Sequence, residues 1–447
     1  MKNKRLLPIL STSALLAISL SACTTAESTT NPTAAQISDE TQSSTLESEE
    51  NSITSNNNSS TAKIQTFSLN KDNGSDLLLY NTLVNKSDNC MFSPYSLKDA
   101  FSLLYYGTND TVKNEFKSVL GIDENNVEKI REYDKSAKDI DGFNVANRVY
   151  INKEMKDDLN VDVLNLDDQL YNEFDVRNAE AEAERINQFV SDNTNGKITD
   201  LVDKDTIKPD SAMILINALY FNQPWDFDED TIKWKEDGKK YKGFTNSGYS
   251  IRNVKEVSDG DIDVLRLYYD DATYVKEGDI AAPKYAMTIF APSETSNENK
   301  VDEYFSNLSK EEFENILDFD DYTGLGNYTE AEFHVPNFEF KNKFSLTDTL
   351  KDLGMKETFN AAGDGFLAIG PVSVSDVIQS TYIMTTEKGT EAAAATEIGV
   401  AAMAMVEPQE PVIKVVNAND DFVFVISDLE TNDILFMGRV NQPSEEV

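Results

Sequence analysis

The chain has 447 residues, of which 79 are Asp or Glu and 40 are Lys or Arg, so its formal net charge at pH 7 is −39. A surface this acidic repels nucleic acid phosphates and anionic headgroups, which excludes DNA, RNA and heparin-like polymers as partners. Hydrophobic residues make up 40% of the chain, and its 23 Phe and 18 Tyr side chains are enough for a substantial core.

The first 23 residues have the pattern of an export signal. Lys2, Lys4 and Arg5 form a positively charged start. The apolar run Leu6–Leu20 follows, and it is shorter than the roughly 20 residues of a membrane-spanning helix. It leads through small residues into Cys23, as in a bacterial lipobox. The pattern predicts cleavage before Cys23 and a lipid on its thiol, which would anchor the protein to the extracellular face of the bacterial cell membrane. An ordinary secretory peptide with a chance cysteine is the alternative.

Residues 24–62 have the composition of a disordered tether. They are mostly Ser, Thr, Asn, Glu and Gln, and they include six acidic residues but no Lys or Arg. The part from residue 63 onward is therefore itself strongly acidic. Cys23 and Cys90 are the two cysteines of the chain, so a lipid on Cys23 would leave the mature protein without an internal disulfide.

Residues 63–443 are predicted to form one continuous domain, followed by a short tail, residues 444–447. Apolar spacing of three and four is frequent in the first half, and strand patterns dominate later. The predicted helices are Asp76–Lys86, Leu97–Tyr106, Thr111–Val119 and Ala179–Asn193. The predicted strands are Met213–Phe221, Met287–Ala291, Ala331–Phe340, Val372–Thr386, Phe422–Ser427 and Ile434–Val440. Helices early and strands late favour an α+β fold with large, mostly antiparallel sheets.

The chain is poor in catalytic and metal-binding groups. Its one histidine, His334, lies in an apparent strand with no nucleophile nearby in the sequence, so we expect it to be structural. One histidine and one remaining cysteine are too few for a usual zinc site. Two acidic clusters, Asp259–Val264 and Asp318–Gly324, resemble calcium loops but lack the spacing of the twelve-residue loop. The sequence therefore predicts no metal, no cofactor and no enzyme activity.

A stretch of small residues, Thr386–Met405, precedes the last strands. An alanine-rich helix is one interpretation, because alanine has the highest helix propensity. The charges favour a strand instead: from Thr390 onward, alternation places Glu391 and Glu397 on one face and leaves the opposite face uncharged. In a helix the two glutamates would lie about 240° apart. A strand of small residues is weak alone, but it fits between two strands that are already packed.

Six ordered motifs give the chain a resemblance to the serpin family over nearly all of residues 63–443. They are Asn89–Leu97, Ile216–Asp230, FHVPNFEF at 333–340, LKDLGMKETF at 350–359, Glu387–Thr396 and Phe422–Pro443. The resemblance implies the serpin fold, with a large central, mostly antiparallel sheet, about nine helices and an exposed reactive loop. It also implies a monomer. A solute-binding lipoprotein fits the leader and the tether but not these motifs.

The resemblance implies an irreversible, suicide-substrate inhibitor of serine proteases. In this family a protease attacks the reactive loop and forms a covalent acyl complex, and the hinge of the loop then inserts into the central sheet. The hinge residues here are Glu387, Gly389, Thr390, Glu391, Ala392, Ala393, Ala394, Ala395 and Thr396. Non-inhibitory members usually break this segment with bulky, charged or proline residues, and this chain does not. A non-inhibitory serpin that acts as a binding protein is the alternative.

The resemblance also indicates the reactive bond. In inhibitory members the bond usually lies seventeen residues along from the hinge glutamate, counted as the first, which gives Met403–Ala404. A shift of one or two residues gives Ala402–Met403 or Met405–Val406. The segment Gly389–Val412 contains no Lys or Arg, so we expect targets of the elastase, subtilisin or chymotrypsin type rather than the trypsin type.

Ser93, Ser96 and Asn217 match the shutter of the family, a buried polar cluster where the central sheet parts. Ordinary turn and cap bonding is the alternative role for these side chains. The chain departs from the family pattern at two positions. Gln379 stands where many members have a shutter histidine, and it can still form hydrogen bonds. Asn337 stands where some members have a lysine facing the hinge glutamate, and a neutral amide cannot form that ion pair.

Overall fold

The described part of the chain contains eight α-helices. They are α1 Gly74–Leu83, α2 Pro94–Ser102, α3 Asp110–Glu115, α4 Val127–Ala137, α5 Ala179–Asn193, α6 Val301–Asn307, α7 Lys310–Leu317 and α8 Thr347–Leu353. The structure is a computed structural model that describes residues 74–83, 89–137, 142–166, 170–227, 230–236, 239–270, 273–276, 280–296, 298–320, 324–390, 410–441 and 443. None of the helices within these ranges is long and apolar enough to cross a membrane.

The same described ranges contain twenty strands. The strands of the first half are β1 Cys90–Phe92, β2 Phe143–Val145, β3 Arg148–Asn152, β4 Tyr171–Phe174, β5 Met213–Phe221, β6 Gln223–Pro224, β7 Asp230–Glu236, β8 Lys239–Ser250, β9 Val254–Val257 and β10 Ile262–Tyr268. Those of the second half are β11 Thr273–Lys276, β12 Ile280–Pro283, β13 Tyr285–Pro292, β14 Glu330–Pro336, β15 Phe338–Ser345, β16 Val374–Thr386, β17 Gly389–Thr390, β18 Ile413–Asn417, β19 Phe422–Asp428 and β20 Ile434–Val440.

The strands form three larger sheets and one hairpin. The central sheet has the order β4-β3-β5-β16-β17-β6, with β15 also paired to β16 and β2 also paired to β5. The second sheet has the order β1-β20-β19-β13-β10-β9, and the third has the order β18-β14-β8-β7. Parallel pairs occur between β3 and β4, β5 and β16, and β14 and β18, and the other pairs are antiparallel. The predicted α+β class with mostly antiparallel sheets is confirmed.

Three predicted elements have the bounds that the structure gives them: the helix Ala179–Asn193 and the strands Met213–Phe221 and Ile434–Val440. The prediction of a single strand over Ala331–Phe340 is wrong. β14 ends at Pro336 in the third sheet, and β15 begins at Phe338 in the central sheet. Pro336, which has no backbone N–H to donate, is the last residue of β14.

The helix predicted over Leu97–Tyr106 lies earlier, because Ser93 and Pro94 form a strong start signal. α2 begins at Pro94, and the side chain of Ser93 accepts a hydrogen bond from the backbone N–H of Ser96. The helix predicted over Thr111–Val119 divides into α3 and a π-helical turn, Phe116–Leu120.

Helix α5 covers one face of the central sheet. Ile186 and Val190 of α5 belong to a buried apolar cluster with Tyr150 of β3, Ile216 of β5 and Ile378 of β16. All nine residues of β5 are buried, as are all residues of β19 and β20. Strands covered on both faces are rich in apolar residues throughout, which is why these three were recognisable in the sequence.

Candidate functional site

The site lies where two parallel strands of the central sheet separate. β5 and β16 pair from Met213 opposite Val374 up to Leu219 opposite Thr381. Above this point β16 continues to Thr386, but its neighbour there is β17, which in turn pairs with β6. We call the paired boundary between β5 and β16 the seam, and the gap above it that contains β17 the notch.

The start of the predicted hinge occupies the notch. After β16 the chain turns through Glu387, and Gly389 has a φ of 136°, a conformation that glycine adopts at little cost. Gly389 lies opposite Thr386 on one side and Pro224 on the other. Thr390 likewise has a neighbouring strand on both sides. The first residues of the hinge are therefore already in the sheet.

The remaining predicted site residues of the loop lie outside the described part of the chain. They are Glu391, Ala392, Ala393, Ala394, Ala395, Thr396 and the reactive bond, Met403 and Ala404. The predicted lipidation residue Cys23 and the tether, residues 24–62, also lie outside it.

Thr390 is held by an aromatic site beneath the notch. Only 2% of Thr390 is exposed, and its hydroxyl oxygen lies 2.7 Å from the hydroxyl oxygen of Tyr269. Trp225 stacks on Tyr269 with 4.5 Å between ring centroids, and its indole Nε1 donates to the carbonyl oxygen of Thr386 at 3.0 Å. Burial raises the pKa of Tyr269 above its ordinary value, at which the hydroxyl is already protonated at neutral pH. The site accommodates a small side chain whose hydroxyl group lies within hydrogen-bond distance of Tyr269.

A buried polar cluster lies across the seam just below the notch. Gln379 of β16 stands opposite Asn217 of β5, and the Gln379 side-chain Nε2 donates to Asn217 Oδ1 at 2.5 Å. Gln379 also accepts from the backbone N–H of Ser93 at 2.9 Å and donates to the Ser93 carbonyl oxygen at 3.0 Å. Asn217 donates to the hydroxyl of Ser96 at 2.6 Å and to Asn147 Oδ1 at 2.7 Å. We call these five residues the seam cluster.

The structure thus brings all four predicted shutter residues together. They connect the N-terminus of α2 to both strands of the seam, because Ser93 caps α2 with its side chain while its backbone binds Gln379. Asn217 and Gln379 are each fully buried, and their side chains are hydrogen-bonded to each other across the seam. Separating β5 from β16 therefore requires this hydrogen bond to break.

Four residues of the site were not predicted from the sequence. Asn147 belongs to the seam cluster, and its side chain donates to Asp99 Oδ2 at 2.6 Å. Asn147 follows β2 and Asp99 lies in α2, and both side chains are buried. Their only signal in the sequence is that each is a polar residue close to apolar ones. Trp225 was part of a recognised motif, but no role followed from it. Tyr269 gave no signal, because its partner Thr390 is 121 residues away.

Asn337 lies beside the turn that carries the hinge glutamate. Phe338 pairs with Thr385, which places Asn337 at the end of the ladder nearest Glu387. The side-chain oxygen of Asn337 is buried without a hydrogen-bond partner among the described residues. The described structure therefore has an unpaired amide oxygen beside the turn that leads to the hinge.

His334 and the acidic clusters have partners within the fold. The two ring nitrogens of His334 lie 2.6 Å from Asn417 Oδ1 and 2.9 Å from Glu332 Oε1. In the first acidic cluster, Lys300 lies 2.5 Å from the carboxylate of Asp261. Within the described ranges no group of three or more His, Cys, Asp or Glu side chains is arranged to hold a metal ion.

Comparison with known proteins gives one family. A family model described as serpin (serine protease inhibitor) matches residues 70–443. An uncharacterized serpin-like protein of Methanosarcina mazei is 29% identical over 374 residues, which cover 80% of this chain and 82% of that protein. A second uncharacterized serpin-like protein, from Thermococcus kodakarensis, is 28% identical and aligns with 82% of this chain and 84% of its own. Serpin B4 of Homo sapiens is 27% identical and aligns with 80% of this chain and 95% of its own.

Two solved structures share the fold. Serpin48 of the insect Tenebrio molitor, described as a highly specific serpin, has a TM-score of 0.61 and 22% identity, and the match covers 82% of this chain and 95% of that one. Tengpin, a thermophilic serpin in its native state, has a TM-score of 0.61 and 21% identity, with 81% and 91% covered. The same layers of sheet and helix are therefore found in chains of quite different sequence.

Proposed function

Because the chain belongs to the serpin family, the family of serine protease inhibitors, we propose that it is an irreversible, suicide-substrate inhibitor of serine proteases. The observation that carries the proposal is the notch, where β5 and β16 part above Leu219 and Thr381 and β17 already lies between strands of the central sheet. A cut at the reactive bond would free the residues between Thr390 and that bond, and these residues could then extend β17 between β5 and β16.

The proposed reaction is interrupted proteolysis. The serine hydroxyl of the protease attacks the carbonyl carbon of Met403, the bond to the Ala404 nitrogen breaks, and the protease remains joined to Met403 as an acyl ester. Insertion of the hinge then competes with hydrolysis of that ester. When insertion is faster, the protease is carried along the sheet with Met403 and its active site is distorted before water can release it. Ala402–Met403 and Met405–Val406 are the alternative bonds.

The composition of the hinge supports insertion. Gly389 supplies the positive φ at the turn, and Thr390 is already buried. From Ala392 to Ala395 the side chains are single methyl groups, so a strand made of them requires little displacement of its neighbours. Alternation from Thr390 assigns Glu391 to the solvent face, where its charge stays hydrated.

The target class follows from the loop sequence. The segment Gly389–Val412 contains no Lys or Arg for a trypsin-like specificity pocket, whereas Met and Ala at the proposed bond fit elastase-, subtilisin- and chymotrypsin-like enzymes.

A panel of proteases tests the proposal. The protein is incubated with elastase-, subtilisin-, chymotrypsin- and trypsin-like enzymes, and the products are separated in SDS and analysed by mass spectrometry. We expect a covalent complex with one of the first three and a released fragment that begins at Ala404. Complete cleavage with every protease left active would contradict the inhibitor function and favour a non-inhibitory binding protein.

We also propose that the mature protein is a monomer held on the extracellular face of a bacterial cell membrane by a lipid on Cys23, with residues 24–62 as its tether. The charged start, the apolar run and the small residues before Cys23 support this proposal. A Cys23→Ser variant should leave the membrane fraction, whereas a Cys90→Ser control should remain there. Retention of the Cys23→Ser variant on the membrane would refute the anchor.

A further inference from the structure

Lysines concentrate on the hairpin of β7 and β8, although the chain as a whole is strongly acidic. Of the 40 Lys and Arg residues in the chain, five lie within residues 230–243, whereas the net charge of the whole chain is −39. Lys233, Lys240 and Lys242 are exposed. We call these three residues the lysine face, because the register of the hairpin places them on one side of it.

The register of the hairpin is regular from end to end. Lys233 of β7 lies directly opposite Lys242 of β8. In an antiparallel pair, directly opposite side chains stand on the same face, with their Cβ atoms about 5 Å apart. Lys240 is two residues before Lys242 in the same strand, so the two-residue period of a strand places it on that face as well. The three lysines therefore form one positively charged surface.

Packing at both faces fixes the hairpin to the fold. On the face opposite the lysines, Trp234 of β7 stacks on Tyr241 of β8 with 5.0 Å between ring centroids. Tyr241 is buried, and its hydroxyl donates to the carbonyl oxygen of Asn419 at 2.8 Å. On the lysine side, Phe244 is buried, and its ring centroid lies 5.6 Å from that of Trp225 beneath the notch. The lysines that precede Phe244 in β8 are exposed to solvent.

β7 leaves one edge of the third sheet open. It is the last strand in the order β18-β14-β8-β7, and in the part of the chain that the structure describes it pairs with β8 alone. The backbone N–H and C=O groups on its outer side therefore have no described strand beside them. Thr231 and Lys233 of β7 are exposed, and Ile232 and Trp234 are half-buried. An edge of seven residues is long enough for an extended peptide to add to it as a further strand.

Protection of the edge alone does not account for these lysines. Lysine on an edge strand discourages pairing with other strands. Lys240 and Lys242, however, lie in β8, which has a neighbouring strand on both sides. The opposition of Lys233 and Lys242 brings two like charges together, which destabilises the hairpin. Among the described residues no carboxylate forms an ion pair with Lys240 or Lys242. The charge of these two lysines is therefore not used within the described part of the fold.

We propose that the lysine face and the open edge of β7 together form a docking site for an extended acidic segment of a partner protein, which adds to the third sheet as a strand next to β7. Alternate side chains of that segment are Asp or Glu and lie over the lysine face. The side chains between them are apolar and lie on the other face, beside the half-buried Trp234. This interaction goes beyond the proposed inhibitor function and does not involve the reactive loop.

A peptide fits both features of the site, whereas other anions fit only one. Lipid headgroups and phosphate polymers carry negative charge, but they have no backbone N–H and C=O groups to pair with β7. The net charge of −39 also repels a large anionic surface that extends past the hairpin. A second copy of the hairpin would bring its own lysines against the lysine face, and like charges on neighbouring strands are unfavourable. The site thus disfavours self-pairing and accepts an acidic strand.

Peptide binding tests the docking site. The probe is a fluorescent peptide of about ten residues in which Glu and Val alternate, and its binding to the intact protein is measured by fluorescence anisotropy. One control peptide has Gln in place of Glu. A second control has an N-methyl group on alternate residues, which removes the backbone donors along one edge. We expect the probe to bind and both control peptides to bind at least about tenfold more weakly. Added salt should weaken the binding of the probe.

Matched variants of the protein test the lysines. Lys240→Gln combined with Lys242→Gln removes two charges of the lysine face and nearly preserves side-chain length. The control is Lys341→Gln combined with Lys343→Gln, two exposed lysines at the same spacing in β15, which bind Asp200 within the fold. We expect the first variant to bind the probe about tenfold more weakly and the control variant to bind it as the unaltered protein does. Thermal unfolding checks that each variant is folded.

Four results would overturn the docking site. Equal binding of the N-methylated peptide would show that no strand is added. Equal loss in both variants, or no binding of the probe, would leave the lysines with edge protection alone. Binding that appears only after removal of residues 24–62 would assign the surface to the acidic tether of the chain itself. A dimer in light scattering that the first variant lacks would assign it to a second copy. No protease takes part, so the outcome is independent of the inhibitor function.

Discussion

Thr390 is buried, and its hydroxyl group lies next to that of Tyr269, on which Trp225 stacks. An arginine at this position would bring a charge into the same site, where no acidic side chain is hydrogen-bonded to Tyr269 or Trp225 among the described contacts. Burying an unpaired charge costs far more than a single hydrogen bond contributes, so the hinge would stay outside the notch.

We therefore expect Thr390→Arg to convert an inhibitor into a substrate. The loop should still be cut, but the fraction of protease trapped as covalent complex should fall by at least tenfold. Thr390→Ser, which keeps the hydroxyl, should still form complex. The measurement is the number of inhibitor molecules consumed per protease inactivated, and normal inhibition by Thr390→Arg would show that the hinge does not enter the sheet at this residue.

The residues of the site differ in how far the sequence could identify them. Ser93, Ser96 and Asn217 were assigned because they lie in motifs that resemble the family, and Gln379 was assigned because it stands where many members have a shutter histidine. Tyr269 could not be assigned, because its importance comes from a contact with a residue distant in sequence that only the folded chain creates.

At the scale of elements, the seam is held by apolar contacts along its length and by one polar cluster near its top. Gln379 makes hydrogen bonds to Ser93 on α2 and to Asn217 on β5. Removing its side chain leaves buried donors and acceptors without partners, which costs about 1 to 3 kcal/mol each before any rearrangement.

We expect Gln379→Ala to lower the free energy of unfolding of the uncleaved protein by about 2 kcal/mol or more. It should also raise the rate at which the protein loses inhibitory activity on storage, because the seam opens more readily. Gln379→His, which retains hydrogen-bonding capacity, is the control and should lose less stability. Unfolding in denaturant and residual inhibition after incubation are the measurements. Equal stability of Gln379→Ala and the unaltered protein would argue against a structural role for the seam cluster.

The attachment of β18 should depend on pH. Lys414 of β18 lies 2.7 Å from Glu256 of β9 and 2.9 Å from Asp263 of β10. Burial raises the pKa of Asp263 to about 6, and the ammonium group of Lys414 only partly opposes this rise. Because the folded state binds this proton more tightly than the unfolded state does, Asp263 contributes more stability below pH 4 than above pH 6.

We expect this contribution to decrease by up to about 3 kcal/mol as the pH rises from 4 to 7. The comparison is between the unaltered protein and Asp263→Asn, whose unfolding free energies are measured at several pH values. The difference between the two should change between pH 4 and pH 6 and stay constant outside that range. A difference that does not vary with pH would mean that the carboxyl group titrates normally.

The sequence identified elements best where they are buried on both faces. β5 and β20 were predicted to the residue because most of their residues are apolar and all of them are buried. β8 was missed because its exposed residues are polar or small and its pattern alternates irregularly. β14 and β15 were merged, since only the tertiary structure decides that the chain changes sheets at Pro336.

At the scale of the whole molecule, the uncleaved chain lacks a full-length strand between β5 and β16. β17 supplies two residues of such a strand, and below it the two neighbours pair in parallel. Insertion of the hinge would give each neighbour a long antiparallel partner and would bury additional small side chains, so the cleaved form should be the more stable one.

We expect cleavage within the loop to raise the midpoint of thermal unfolding by about 5 to 10 °C, since a new central strand adds several kcal/mol to a stability of the usual 5 to 15 kcal/mol. Differential scanning calorimetry of the intact and the cut protein measures the change. Thr390→Arg is the matched control, because its cut form should gain much less. A cut wild-type protein with an unchanged midpoint would rule out loop insertion.

The position of Trp225 has a practical consequence. The chain has two tryptophans, and Trp225 lies directly under the hinge while Trp234 stacks on Tyr241 in the third sheet. Replacing Trp234 by Phe leaves Trp225 as the single indole. Its fluorescence emission depends on its exposure to solvent and on its stacking with Tyr269, both of which lie next to the notch. Stopped-flow fluorescence of this variant would follow the entry of the loop in real time, without any added label.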